Sequence, residues 1–288
     1  MKELVQLAVG TVSMRPYVFA FFAAYLIVSV PHLGWKRVTG FTVLGYLTAF
    51  LSEFSSINTG FPYGWYYYID RTSSQELWLA GVPFFDSISY VFLCYCSYAT
   101  ALFILSPLKF SQKNLLPLET LSLRRSVSAL FLGALLQTYL DIIIDPVALQ
   151  GKQWFLGEIY GYREAGHHFG VPLTNYLGWF VVSSLMIFPL QRLAGWRSSS
   201  SSPPLGVCNF PGSSLLPVLL YLSIIIFNLV IVVQINQMTI AISGFFTMLL
   251  PLAMSIILAT RRINRYSREE LAEHLRDFPW SAAGGTKR

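Results

Sequence analysis

The sequence predicts an all-α membrane protein, a polytopic bundle of about seven transmembrane helices. Of its 288 residues, 54% are hydrophobic and only 12% are charged, against roughly 25% charged in an average soluble domain. Apolar runs recur from Pro16 to Thr260, and at about 20 residues per bilayer crossing they use most of the chain. Backbone groups in lipid must be satisfied internally, and the alternation of a membrane barrel is absent, so these runs are expected to be helices.

Seven apolar runs, each about as long as a bilayer crossing requires, define the predicted spans. The first is expected to serve as the insertion signal, since no cleavable signal peptide is evident. The third begins at Pro83, the fourth ends at Asp145 before a proline, and the fifth follows Pro172. In chain order, the spans cover residues 16–33, 38–54, 83–105, 126–145, 173–193, 215–234 and 240–260.

The basic residues predict an N-out, C-in orientation in the cell (inner or cytoplasmic) membrane. In that orientation the cytoplasmic segments contain 15 of the 20 Lys and Arg residues, as the positive-inside rule requires. The net charge of +6 is therefore attributed to topology, and nucleic acid is not expected as a partner.

The whole chain, 1–288, is predicted to be one integral membrane domain with four parts. Residues 16–193 form a five-helix part that is expected to be catalytic. Residues 197–214, where a run of serines precedes two prolines, are predicted to be a flexible cytoplasmic linker. Two scaffold helices without any acidic residue follow at 215–260, and a basic cytoplasmic tail covers 261–288.

Four acidic residues within or beside the spans are the strongest functional signal: Glu53, Asp86, Asp141 and Asp145. Ionisable groups in hydrocarbon cost several kcal/mol, so they mark function by default. The up-down order of the spans brings all four to the outer side of the membrane. The alternative is structural, with Asp86 capping the third span and Asp145 ending the fourth.

Asp141 and Asp145 are four residues apart, which places them on one helix face. Two carboxylates held close in a medium of low dielectric constant do not both ionise easily, so one is predicted to hold a proton and act as a general acid. Two outer loops, 55–82 and 146–172, face this layer and are rich in aromatic residues. An aromatic belt at the membrane interface would explain some of these rings. Asn175, at the start of the fifth span, reaches the same layer.

No residue pattern predicts a metal or a cofactor. His167 and His168 are adjacent, so their side chains diverge, and the spacing of a di-iron His box is absent. There is no glycine-rich loop for a flavin or nicotinamide, and no lysine within a span to form a retinal Schiff base. Cys94, Cys96 and Cys208 fit no disulfide framework and are predicted to be packing residues.

Several local sequences together resemble a known family. They are SEFSSINTGFPYGWYYY around Glu53, the GVP that opens the third span, DIIIDP from Asp141, Trp154, and FGVPLTNYLGW over 169–179. Over roughly half of the chain, residues 41–180, these sequences are similar to the carotenoid-biosynthesis membrane proteins that include the bacterial and archaeal carotenoid 1,2-hydratases (CruF type).

The resemblance implies a hydro-lyase that adds water across the terminal double bond of an acyclic carotenoid end group and gives a tertiary alcohol. Its implied partners are a polyene like lycopene or γ-carotene, water, membrane lipid and other enzymes of the pathway. No cofactor is implied. The positions that carry over are Glu53, Asp141, Asp145, Gly170, Pro172, Asn175 and Trp179.

The chemistry of the predicted carboxylate layer agrees with that reaction. Hydration of a trisubstituted alkene needs an acid, an apolar pocket that tolerates a carbocation, and one positioned water. Asp141 is predicted to be the proton donor, with Glu53 or Asp145 positioning the water. The predicted substrate-binding residues, some of them aromatic rings that could stabilise the cation, are Asp86, Asn175, Trp154, Tyr176, Trp179, Tyr66 and Trp65.

Two other functions are compatible with the same features. A cofactor-free isomerase or transferase of isoprenoid lipids would use the same carboxylate layer. A non-enzymatic carotenoid or lipid carrier, or a transporter, would need the apolar bundle alone, although the inverted repeat of many transporters is not visible in the sequence.

Overall fold

The computed structural model describes residues 2–111, 114–196, 203–207, 210 and 212–281. Helices make up most of the described chain and every described strand is short, so the predicted all-α bundle is confirmed. The helices are α1 Lys2–Met14, α2 Pro16–Leu33, α3 Trp35–Thr59, α4 Phe84–Leu105, α5 Leu121–Arg124, α6 Val127–Ala148, α7 Leu173–Ala194, α8 Leu216–Gln234, α9 Met238–Arg261 and α10 Arg268–Asp277. The strands are β1 Tyr66–Tyr68, β2 Trp78–Leu79, β3 Val82–Pro83, β4 Leu108–Ser111, β5 Asn114–Pro117 and β6 Tyr160–Tyr162.

Each of the seven predicted spans coincides with one long helix, α2, α3, α4, α6, α7, α8 or α9. In the described part of the chain, six of these helices are long and apolar enough to cross a membrane, and the protein is a multi-pass membrane protein. The seventh, α3, has 25 residues but includes Lys36, Arg37 and Glu53, which make it less apolar than the others.

Two further helices lie outside the predicted spans. At ~1.5 Å per residue the 13 residues of α1 extend about 20 Å, too short to cross a ~30 Å hydrocarbon core. Helix α10 forms in the predicted tail because Ser267 and Glu270 make a capping box that satisfies its first N–H groups. Much of the predicted linker, residues 197–202, 208, 209 and 211, lies outside the described residues, as do Cys208 and residues 282–288.

Helix α4 is at the centre of the bundle. It packs against α2, α3, α6, α7, α8 and α9, and every side chain from Tyr90 to Leu102 is buried. Cys94 and Cys96 are buried free thiols in this stretch, as expected of packing residues. Helix α6 comes close because it presents Gly133 at the contact, where an added Cβ would lie 3.3 Å from the Cα of Tyr98.

Four helix ends meet at one end of the bundle: the C-terminal ends of α3 and α6 and the N-terminal ends of α4 and α7. The loops that follow α3 and α6 fold across this end. The first loop can approach α7 because Gly178 has no side chain; a Cβ there would lie 2.6 Å from the carbonyl oxygen of Pro62. Helix α6 does not end at Asp145 as predicted but continues to Ala148, since the carbonyl of Asp145 accepts from the Leu149 N–H and closes a further turn.

Candidate active site

The four acidic residues that the sequence singles out line one cavity at this end of the bundle. Their predicted juxtaposition is therefore present in the structure, with three helices each contributing to it. We call this space the outer cavity. It is lined by Glu53, Tyr63, Tyr66, Tyr68, Asp86, Ser89, Tyr90, Leu93, Asp141, Ile144, Asp145, Ala148, Tyr160, Tyr162, Asn175 and Trp179.

Asp141 and Asp145 are held by one amide. Nδ2 of Asn175 donates to Oδ2 of Asp141 at 2.7 Å and to Oδ2 of Asp145 at 2.9 Å. The other oxygen of Asp141, Oδ1, is buried and has no hydrogen-bond partner among the described residues. Because buried polar atoms are normally paired, this oxygen has an unused hydrogen-bonding position in the cavity wall.

A short two-stranded sheet covers the outer cavity. Strands β1 and β6 pair antiparallel, with Tyr66 opposite Tyr162 and Tyr68 opposite Tyr160. Side chains alternate across a strand, so these four tyrosines share the face that lines the cavity, while Tyr67 between them is 49% exposed. The sheet thus delivers four phenols to the carboxylate layer.

Each of these phenols donates to a carboxylate. Tyr66 donates to Glu53 at 2.8 Å and Tyr68 donates to Asp86. Tyr160 and Tyr162 donate to the two oxygens of Asp145. Asp145 thus accepts from three side chains, which is more than a helix-ending residue needs.

Burial raises the pKa of Tyr66, Tyr160 and Tyr162 well above its ordinary value, and the neighbouring carboxylates raise it further. These side chains therefore remain neutral hydrogen-bond donors throughout the physiological pH range.

Aromatic faces form one wall of the outer cavity. The rings of Tyr90 and Trp179 stack with centroids 4.3 Å apart and an angle of 6° between their planes. Tyr63 packs against both rings at 6.3 and 6.1 Å. The hydroxyl of Tyr90 also donates to Glu53, so the same residue joins the aromatic wall to the carboxylates. The π faces of such rings attract a cation.

An apolar space, the apolar chamber, adjoins the outer cavity. It lies between α2, α4, α6, α8 and the loop after α6, and its aromatic lining includes Tyr17, Phe21, Trp154 and Phe227. The two spaces share six lining residues: Asp86, Ser89, Leu93, Ile144, Ala148 and Tyr160. A long apolar ligand in the chamber would therefore present one end to the carboxylates.

Seven of the ten site residues predicted from the sequence line the outer cavity: Glu53, Asp86, Asp141, Asp145, Asn175, Tyr66 and Trp179. Trp154 lines the apolar chamber instead, where its indole N–H donates to the carbonyl of Val147 at 3.2 Å.

Two predicted substrate-binding residues lie outside both spaces, and neither is part of the site as described. Trp65 is 44% exposed, with the guanidinium of Arg163 4.3 Å from its ring centre, because strand alternation turns it away from Tyr66. Tyr176 points away from Asn175, its neighbour on α7, and its hydroxyl bonds to His168. His167 is exposed, whereas His168 is half-buried, so the two side chains diverge as expected.

Five cavity tyrosines were not predicted from the sequence: Tyr63, Tyr68, Tyr90, Tyr160 and Tyr162. The sequence contains one signal for three of them and Tyr66. In YYY (66–68) and YGY (160–162), the first and third tyrosines lie on one face of a strand, so pairing of the two loops would place four phenols on one face of a sheet. Within the described residues there is no group of three or more His, Cys, Asp or Glu side chains arranged to hold a metal ion.

Comparison with known proteins gives one match. A family model described as carotenoid biosynthesis protein matches residues 10–251, well over half of the chain. The matched range contains all residues that line the outer cavity and the apolar chamber. No curated protein and no solved structure matches the chain.

Proposed function

Because the chain belongs to the carotenoid biosynthesis protein family, we propose that it is a membrane enzyme that adds water across the terminal 1,2 double bond of an acyclic carotenoid. The observation that carries this proposal is the unpartnered carboxyl oxygen of Asp141, which lies in a cavity between aromatic rings and an apolar chamber. Alkene hydration by acid needs a proton donor and an apolar pocket that tolerates a carbocation, and this arrangement supplies candidates for both.

Asp141 is the proton donor in this proposal. Its Oδ1 transfers a proton to C2 of the end group, and the π electrons of the double bond form the new C–H bond. A tertiary cation is left at C1, and Asp141 becomes a carboxylate. Asn175 supports that change, because its N–H already points at Oδ2 and hydrogen bonds to a charged acceptor are stronger than those to a neutral one.

The aromatic wall supports the cation. Trp179 and Tyr90 stack on each other and line a buried space where water competes weakly, and a desolvated cation–π contact contributes about 2 kcal/mol. The phenols of Tyr66 and Tyr162 donate to Glu53 and Asp145, which serve as acceptors for the developing positive charge in the same cavity.

Water completes the reaction. It attacks C1, forms the C–O bond, and releases one proton to Asp145 or Glu53. Return of a proton to Asp141 restores the starting state, so the net change is the addition of one water molecule without transfer of electrons. Asp145 is well placed for that return, since it shares the Asn175 amide with Asp141.

The polyene lies in the apolar chamber in this proposal, with its end group in the outer cavity. Helix α8 would then take part in substrate binding through Ile224, Phe227 and Asn228, and would be more than a scaffold. The N-out orientation favoured by the basic residues would put the reaction at the outer face of the cell membrane.

Expression of the chain in a bacterium that accumulates an acyclic carotene tests this function directly. We expect a new pigment, heavier by one water and chemically a tertiary alcohol. A rearranged or prenylated polyene of unchanged hydration would instead indicate the isomerase or transferase class. An unmodified carotene that copurifies with the protein would indicate a carrier.

A further inference from the structure

A third space lies at the opposite end of the bundle from the carboxylates. This inner pocket is formed by the last turns of α2 and α4, the first turns of α3 and α8, and helix α10. Its apolar lining includes Val28, Ala99 and Phe103, and its polar lining includes Arg37, Arg124 and His274. An apolar floor with a polar rim at a membrane surface fits an amphipathic molecule.

One arginine of the inner pocket is already neutralised. Nε of Arg124 lies 2.7 Å from Oε2 of Glu119, and His32 lies 3.3 Å from the same oxygen. Burial alone would raise the pKa of Glu119, but the charge of Arg124 and the hydrogen bonds with Arg124 and His32 outweigh it and hold that pKa below its ordinary range. Glu119 is therefore ionised and compensates Arg124.

The other arginine has no such partner. Arg37 donates to the backbone carbonyls of Leu33 at 3.2 Å and Trp196 at 2.8 Å, both neutral acceptors. No carboxylate of the described chain lies within ion-pair distance of it. The inner pocket thus contains one uncompensated positive charge, which favours an anionic ligand group.

His274 supplies a free acceptor. Its Nδ1 lies 2.7 Å from the carbonyl oxygen of Glu119, and because a carbonyl only accepts, Nδ1 must hold the hydrogen. Burial lowers the pKa of His274, so the ring is neutral and its Nε2 is a lone-pair acceptor. That Nε2 atom is buried without a hydrogen-bond partner in the described part of the chain. A hydroxyl group would satisfy it.

We propose that the inner pocket binds an anionic phospholipid whose head group has a hydroxyl. The phosphate would lie against Arg37, the head-group hydroxyl would donate to Nε2 of His274, and an acyl chain would follow Val28, Ala99 and Phe103. This site is separate from the outer cavity, and the proposal does not depend on the hydratase reaction.

Lipid binding to the purified full-length protein tests the proposal by native mass spectrometry and thermal unfolding in detergent. Phosphatidylglycerol has the charge and the hydroxyl, phosphatidylethanol has the charge alone, and phosphatidylcholine has no net charge. We expect phosphatidylglycerol to bind about fivefold more tightly than phosphatidylethanol. Phosphatidylethanol should in turn bind about tenfold more tightly than phosphatidylcholine. Equal binding of the three lipids would overturn the proposal, and so would equal stabilisation by inorganic phosphate alone.

Two variants assign the preferences to their residues. Arg37→Gln should remove the preference for anionic lipid, whereas Lys36→Gln, which removes the exposed neighbouring charge, should leave it unchanged. His274→Asn retains a donor for the Glu119 carbonyl but lacks Nε2, so it should remove only the preference for the hydroxyl. If Lys36→Gln lost the preference for anionic lipid to the same extent, general surface charge would explain the effect, and the proposed site at Arg37 would be contradicted. The ranking in the wild-type protein decides the matter if a variant fails to fold.

Discussion

The side-chain amide of Asn175 lies 2.7 Å from Oδ2 of Asp141, and that contact leaves the other oxygen of the carboxyl group without a partner among the described residues. The two residues come from different helices, α6 and α7. The packing of these helices therefore orients the carboxyl group and decides which of its oxygens stays unpartnered.

Asp141→Asn should lower formation of the tertiary alcohol by about 10²- to 10⁴-fold, because the amide has nearly the same size but cannot deliver the proton. Chromatography of pigments from cells with matched amounts of membrane protein measures the effect. Glu164→Gln, the same acid-to-amide change at an exposed position of the outer loop, is the control and should behave as wild type. Full activity in Asp141→Asn together with an inactive Glu53→Gln would transfer the donor role to Glu53.

Reaction in heavy water should place one deuterium on the carbon next to the new alcohol, because the proposed donor is a carboxyl group that exchanges with solvent. Mass spectrometry of the product fragments locates the label. The reaction should also proceed without oxygen and with a chelator present, because hydration transfers no electrons. Unlabelled product, or a strict need for oxygen, would contradict acid-catalysed hydration.

Tyr162→Phe should reduce activity by about tenfold or more, since Asp145 would lose one of its three donors and hydrogen bonds to charged groups contribute about 1.5–3 kcal/mol. Tyr67→Phe is the matched control, because Tyr67 lies in the same sheet and is 49% exposed. Initial rates per folded protein are the measurement. Similar losses in both variants would mean that the sheet contributes only to folding.

Trp179→Leu should lower kcat by about 30-fold, the equivalent of the ~2 kcal/mol of a desolvated cation–π contact. Trp65→Leu removes an indole from the outer loop but not from the outer cavity, so its kcat should stay near the wild-type value. A larger decrease in kcat for the Trp65 variant than for the Trp179 variant would contradict the placement of the end group beside Trp179. Kinetics with solubilised carotene distinguish the two.

The orientation of the chain can be tested with reporters. A reporter placed after Arg265 should read cytoplasmic, and one inserted at Ser73 should read exterior. The reason is that most basic residues lie at the end of the bundle that contains the inner pocket, and the positive-inside rule assigns that end to the cytoplasm. Both positions are exposed, so the insertions should not disturb packing. Reversed signals would place the carboxylates on the cytoplasmic face.

The sequence by itself determined the helices and the layer of carboxylates. Apolar runs of bilayer length can only be helices in lipid, and their alternating direction sends Glu53, Asp86, Asp141 and Asp145 to one end. Both features depend on the length of each apolar run and on the order of the runs along the chain, which can be read directly from the sequence. Asn175 was predicted for the same reason, since it lies at the beginning of a span.

Only the tertiary structure decided which groups surround those carboxylates. Tyr66 and Tyr162 meet because two loops far apart in sequence pair as strands, and the register of that pair turns Trp65 outward. The inner pocket likewise requires α10 to fold back beneath α2 and α4, which brings His274 to the backbone of Glu119. Such contacts depend on long-range hydrogen bonds and helix packing, which no local pattern of residues encodes.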